Sequence, residues 1–263
     1  MRRVQLWAIA PTFFLMAAKK ALRLAMLLLC LALFGWSTPA QAATQTSPRL
    51  EEQVLQIIRQ HPEVILESVQ TYQQQQQQQV QQAQQAFLQD LKTNTKAVIG
   101  ESPTTGAIDS KVVLIEFSDF QCPYCAEAHK TLKQLIEKHP GEIALVYKHF
   151  PLTPIHPEAM LAAKAAWAAS QQGKFWEYED ALFTQQDKLG EDLYRDIAQK
   201  LNLDLEKFEN DRILADTAIQ EDIQLAESLG LSGTPFFVIN GETFSGAVQL
   251  SDIENILASV NKS

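Results

Sequence analysis

The spacing of apolar and polar positions divides the chain into stretches of different period. From Ser47 to Asp90, Leu50, Val54, Ile57 and Ile58 recur at helical intervals, and after Pro62 the residues Val64, Ile65, Leu66 and Val69 carry the pattern on. Between Gln70 and Gln89, 13 of 20 residues are Gln, yet Val69, Tyr72, Val80, Ala83, Phe87 and Leu91 keep gaps of three or four apart from one skipped turn. Two readings are open for this helix. It is a solvated spacer, since Gln forms helix well, or it self-associates by pairing its thin apolar stripe with a second copy. Thr93 to Ser110, with two Gly and a Pro, reads as a linker or extended lead-in. The period then changes. Val112 to Phe117 is a short run rich in β-branched residues, as in a strand buried on both faces. A helical stretch from Ala126 to His139 and a second strand-like run from Ile143 to Phe150 complete a βαβ unit. Residues 156–230 show helical spacing without a strand pattern, beginning with the Ala-rich run Ala162 to Ala169. Strand character returns at Phe236 to Ile239, turns at Asn240-Gly241 and continues at Thr243-Phe244; a last helix runs from Leu250 to Val260.

The reading is therefore an α/β domain split by an all-helical insertion and preceded by a helical extension. Its expected boundaries are 1–42 (signal peptide), 43–96 (Gln-rich extension and possible oligomerisation stalk), 97–155, 156–230 (insertion) and 231–263. The signal assignment rests on the first 42 residues, which hold five basic residues and no acid. Lys19, Lys20 and Arg23 precede the apolar run Leu24 to Trp36, and Ala40-Gln41-Ala42 has the small-x-small pattern of a cleavage site. The run is shorter than a membrane-crossing helix needs, so a cut near Ala42 is expected rather than a retained anchor, with Met1 or Met16 as the start.

The whole chain has 22 basic and 31 acidic residues, net charge −9. Removing the five basic residues of the signal leaves 17 against 31, or −14. Such a surface repels nucleic acid phosphates, and no nucleic acid partner is expected. Of three cysteines, Cys30 lies within the signal run, and the pair Cys122 and Cys125 remains, at the turn between the first strand and its helix.

Glu116-Phe-Ser-Asp-Phe-Gln-Cys122-Pro-Tyr-Cys125, the helical insertion, and Gly233-Thr234-Pro235 ahead of a strand together resemble DsbA-like thiol:disulfide oxidoreductases of the thioredoxin superfamily over roughly Val98 to Val260. The resemblance implies a thioredoxin-like fold with a helical insertion. It implies Cys122 as nucleophile, Cys125 as resolving cysteine, Pro235 as the cis-proline facing them, and Glu116 as the buried acid beneath the pair. The residue types suit that chemistry. A thiolate attacks a disulfide, and a helix N-terminus lowers a thiol pKa; Pro123 suits a first helical turn because its missing N–H has no partner to lose. Cys125, one turn deeper, is placed to attack a mixed disulfide, with Glu116 exchanging its proton, and Pro123-Tyr124 tunes the redox poise. Backbone groups of Thr234 are free to pair with an extended substrate strand.

Expected partners are reduced or unfolded exported proteins, a membrane redox partner, and a second copy of the chain through the N-terminal helix; the expected compartment is the periplasm. No cofactor beyond the redox pair and no metal is expected. Oxidase is the preferred reading, ahead of an oligomeric isomerase or reductase; the non-enzymatic alternative is a peptide-binding chaperone or a copper carrier. Local alternatives are a metal site formed with His129, a salt bridge from Lys148 to Glu116, surface or packing roles for His139, His149 and His156, and places in the insertion core for Trp167, Phe175 and Trp176.

Overall fold

The computed structural model describes residues 47–263 except 108, 109, 111, 247, 248 and 261–263. The signal reading, Cys30 and the choice of start codon lie outside the described residues. Two compact units divide the chain, Met1–Glu67 and Ser68–Ser263. In the first, helix α1 (Pro48–Gln60) buries none of its residues. Helix α2 (Pro62–Thr93) begins there and ends in the second unit.

The division falls inside α2. The reason is Phe87 and Leu91, which are buried with Ile99, Val113, Phe150 and Leu229. Burying a phenylalanine contributes about 2–3 kcal/mol, enough to hold a helix end against the domain. The expected linker is also more ordered than its composition indicates. A short helix α3 (Thr95–Ile99) and a strand β1 (Thr104–Gly106) occupy it. Gly106 sits at φ +82°, and a Cβ there would lie 2.0 Å from the Ile143 carbonyl oxygen, so β1 reaches its neighbour only through a glycine.

Five strands form one mixed sheet in the order β1-β3-β2-β4-β5. Strand β2 (Val112–Ser118) is buried along its whole length and pairs in parallel with β3 (Ile143–His149), setting Glu116 opposite Tyr147 and Ser118 opposite His149. The crossover between them is helix α4 (Pro123–Lys138). Strand β4 (Phe236–Ile239) runs antiparallel to β2, and β5 (Glu242–Ser245) closes the edge through the Asn240-Gly241 turn, where Asn240 and Gly241 both take positive φ.

Alternation along β2 sorts its side chains. Val112 and Leu114 pack with α4 and with α10 (Leu250–Val260), whereas Val113, Ile115 and Phe117 pack with α2 and the end of α9 (Asp216–Ser228). The helices between β3 and β4 are α5 (Ala159–Ser170), α6 (Phe175–Thr184), α7 (Glu191–Lys200), α8 (Leu205–Leu214) and α9. The alanines of α5 let α6 and α8 approach closely, and Phe175, Tyr178, Leu182, Tyr194 and Phe208 fill the space between them. Phe175 is thus core; Trp167 and Trp176 are half-buried at the edges of these clusters.

Candidate active site

Cys122 is the N-cap residue of α4 and Pro123 occupies the first turn, so the helix amides point at the Cys122 sulfur. The loop before it is pinned on three sides. Asp119 Oδ1 accepts from the Gln121 amide at 2.7 Å, and its Oδ2 accepts from the Leu152 amide at 2.9 Å and meets His156 Nδ1 at 2.7 Å. Gln186 Nε2 donates to the carbonyls of Phe120 (2.7 Å) and Cys122 (2.9 Å), and Gln121 Oε1 accepts from the Glu158 amide. Asp119 and Gln186 escaped the sequence reading. Asp119 has a local sign in its position three residues before Cys122; Gln186 has none, because only the helical block carries it to the loop.

Both cysteines are buried free thiols. The Cys122 thiol donates to the Thr234 carbonyl at 3.3 Å, and the Thr234–Pro235 peptide is cis. The loop carrying Thr234 is braced by α2: Gln84 Nε2 donates to the Leu229 carbonyl at 2.8 Å, and Val80 sits so close to Gly230 (φ +73°) that a Cβ there would meet it at 2.8 Å. Tyr124 is 58% exposed.

The two sulfurs are electrostatically unlike. Donation from the Cys125 thiol holds Cys122 down at about 5 against the cost of burial, with the Thr234 side chain and the Cys125 and Tyr124 amides adding to it. Cys125 is pushed far up, first by burial and then by that same hydrogen bond. Glu116 lies fully buried behind the pair; burial raises it to about 8, and the Glu179 carboxylate adds to the shift. Its Oε1 has no hydrogen-bond partner, and neither do Ser118 Oγ, the Tyr147 hydroxyl or either ring nitrogen of His149. These four residues are two opposed pairs on one face of β2 and β3. Lys148 does not reach Glu116. As the neighbour of Tyr147 on β3 it points to the opposite face, where its Nζ lies 3.1 Å from Asp222 Oδ1. His149 is a buried packing residue that burial lowers to about 3, while His139 sits beside Glu254.

His129, one turn beyond Cys125, has both ring nitrogens engaged by α6: Nδ1 at 2.9 Å from Glu179 Oε1 and Nε2 at 2.9 Å from Asp180 Oδ1. Among the described residues no three or more His, Cys, Asp or Glu side chains are grouped so that they could hold a metal ion, and no helix is long and apolar enough to cross a membrane.

A family model described as thioredoxin matches residues 98–259. The chain is 40% identical over 146 residues to the Na(+)/H(+) antiporter NhaA 3 of Salinispora tropica, covering 54% of this chain and 22% of that one. It spans less than a quarter of the length of the curated relatives it matches. Among solved structures, a thioredoxin-like oxidoreductase from Silicibacter pomeroyi is 30% identical with a TM-score of 0.59, covering 65% of this chain and 99% of that one. ScsC of Proteus mirabilis, in a transitional conformation, is 25% identical with a TM-score of 0.58, covering 82% of this chain and 97% of that one.

Proposed function

Because the chain belongs to the thioredoxin family, in its DsbA-like thiol:disulfide oxidoreductase branch, we propose that it exchanges disulfides with exported proteins through Cys122 and Cys125, acting as a disulfide donor. Cys122 is the nucleophile and leaving group, Cys125 the resolving thiol, and Glu116 its proton partner. Pro123 and Tyr124 set the poise, and the Thr234 backbone beside Pro235 holds an extended stretch of substrate. Reoxidation falls to a membrane redox partner. The location is the periplasm, reached through the signal pattern of residues 1–42, where an oxidised pair persists.

The observation that carries the donor reading is the depressed Cys122 thiol beside an elevated Cys125. Lowering the first thiol from its ordinary value of 9 to about 5 favours the dithiol form about 100-fold at pH 7 and raises the reduction potential by about 60 mV. The expected potential of the pair is above about −250 mV when equilibrated against glutathione; a lower value would make the protein a reductant.

A second reading, an oligomeric isomerase, is favoured by one feature. Leu50, Val54, Ile57 and Ile58 on α1 and Val64, Leu66 and Val69 on α2 are exposed, a long apolar stripe for a solvated helix. In that reading the stripes of two or more chains pair and hold catalytic units around one misfolded substrate. Light scattering on the full chain should then give a multiple of the monomer mass, reduced to the monomer by Ile57→Glu with Leu66→Glu. A monomeric wild-type chain excludes this reading and leaves the donor role.

A further inference from the structure

We propose that Glu179, His129 and Asp180 form the route by which the proton of Cys125 passes between Glu116 and solvent. The proposal rests on the exchange reading above and concerns the step that reading leaves without an exit. Cys125 and Glu116 are both buried, at 0% and 1% exposure, so a proton moving between them has no direct access to water. Every cycle nevertheless requires one to arrive and one to leave.

The residues around Glu116 offer few ways out. Ser118, Tyr147 and His149, its neighbours on the same face of the sheet, are themselves buried, and His149 titrates too low to carry a proton near neutral pH. Lys148 and Asp222 face the other side of the sheet. Glu179 lies one turn along α6 from Phe175, whose ring centroid is 5.0 Å from that of Tyr147, the cross-strand partner of Glu116. Of the charged groups that act on Glu116, the Glu179 carboxylate has the largest effect, ahead of His129 and Cys122. Glu179, 4% exposed, bonds His129 Nδ1 at 2.9 Å, and the far nitrogen of the same ring bonds Asp180 at 2.9 Å. Asp180 has a side chain 42% exposed and pairs with Lys133 at 2.8 Å. His129, Glu179, Asp180 and Lys133 line a surface cleft of about 340 Å³. An imidazole joining a buried carboxylate to an exposed one is thus placed between the interior and the solvent, and it holds a proton on either nitrogen.

The electrostatics suit such a relay. Burial raises Glu179 against the opposing pull of His129, so the inner carboxyl takes up a proton readily. His129 is raised despite burial because Glu179 and Asp180 flank it. Asp180, despite partial burial, is lowered by Lys133 and His129 and stays ionised at the mouth. When Cys125 resolves a mixed disulfide, its proton goes to Glu116, its sulfur bonds to the Cys122 sulfur, and the Cys122–substrate bond breaks with its electron pair on the departing thiolate. The proton held by Glu116 then leaves through Glu179, His129 and Asp180. When substrate thiolate opens the Cys122–Cys125 bond, Cys125 departs with the electron pair and one proton enters by the reverse path.

The test uses the reduced full-length protein and an excess of a chromogenic aryl disulfide, which reads the two cysteines as two releases of aryl thiolate. The first release reports attack by Cys122 and the second, resolution by Cys125. In Glu179→Gln and His129→Ala the ratio of the second rate to the first is expected to fall at least about tenfold at pH 7, within the range of general acid–base effects. Added imidazole, entering the cleft beside residue 129, should restore the second rate in His129→Ala in proportion to its concentration. Asp180→Asn, at the exposed end and least able to disturb folding, should lower the ratio in the same direction. Ratios equal to wild type from pH 5 to 9 in all three variants, or no response to imidazole, overturn the relay. Loss of the first release in wild-type protein overturns instead the exchange reading on which the relay stands.

Discussion

Replacing Cys122 with serine is expected to abolish oxidation of a reduced test protein, a fall of at least about 10³-fold measured by loss of free thiols over time. A serine hydroxyl forms no disulfide, and the thiol that remains, Cys125, is fully buried and pushed far up by that burial. The same site should impose a pH dependence on the wild type. With the Cys122 thiol held at about 5, attack on a disulfide proceeds from the ionised form throughout the neutral range and weakens only as the pH falls through 5. Activity retained in Cys122→Ser would sink the assignment, whereas attack by the reduced wild type on a small disulfide whose rate rises tenfold per pH unit between 7 and 8 would show an ordinary thiol at this position.

Glu116→Gln should make the fold more stable at neutral pH while slowing the Cys125 step. Burial raises the Glu116 carboxyl from its ordinary value of 4.5 to about 8. The folded state therefore binds this proton more tightly than the unfolded chain. Its stabilising effect is complete below pH 4.5, declines as the pH rises through the window from 4.5 to 8, and is gone above that window. At pH 7 the loss is on the order of 3 kcal/mol. Gln does not titrate, so the stability difference between variant and wild type should grow by that amount from pH 4 to pH 7 in urea unfolding. An unchanged difference at the two pH values would show that Glu116 does not carry the elevated proton affinity. A stability penalty at a site that also handles a proton is the ordinary consequence of placing an acid where its proton is needed and water is not.

How far these residues could be read in advance depends on how local their partners are. Cys122, Pro123 and Cys125 carry their geometry in their spacing: a proline in the first turn and a cysteine immediately before it place one sulfur at the helix N-terminus and the other a turn deeper. Strands β2 and β3, the hairpin at Asn240-Gly241 and the helix from Leu250 were equally legible, because periodicity and turn chemistry are properties of neighbouring residues. Strand β1 was not, since three residues around a glycine make no pattern until β3 lies beside them.

What the sequence by itself determined was a pair of cysteines at a helix start, the order of helices and strands from β2 onward, and the excess of acidic residues. Only the tertiary structure decided which groups surround the pair. Glu116 and Lys148 stand on adjacent strands in sequence terms that permit a salt bridge, yet the parallel register sets Glu116 against Tyr147 and sends Lys148 to Asp222 on the other face. Glu179 and Asp180 lie about fifty residues from His129 and meet it only because α6 packs along α4. The Gln-rich helix, polar enough to pass for a free spacer, is held by Phe87 and Leu91, and its Gln84 braces the loop that leads to Thr234. Burial is what local spacing does not encode: the desolvation that raises the Cys125 thiol and the Glu116 carboxyl arises from the packing of distant segments around them, and Cys122 is held down against it by hydrogen bonds.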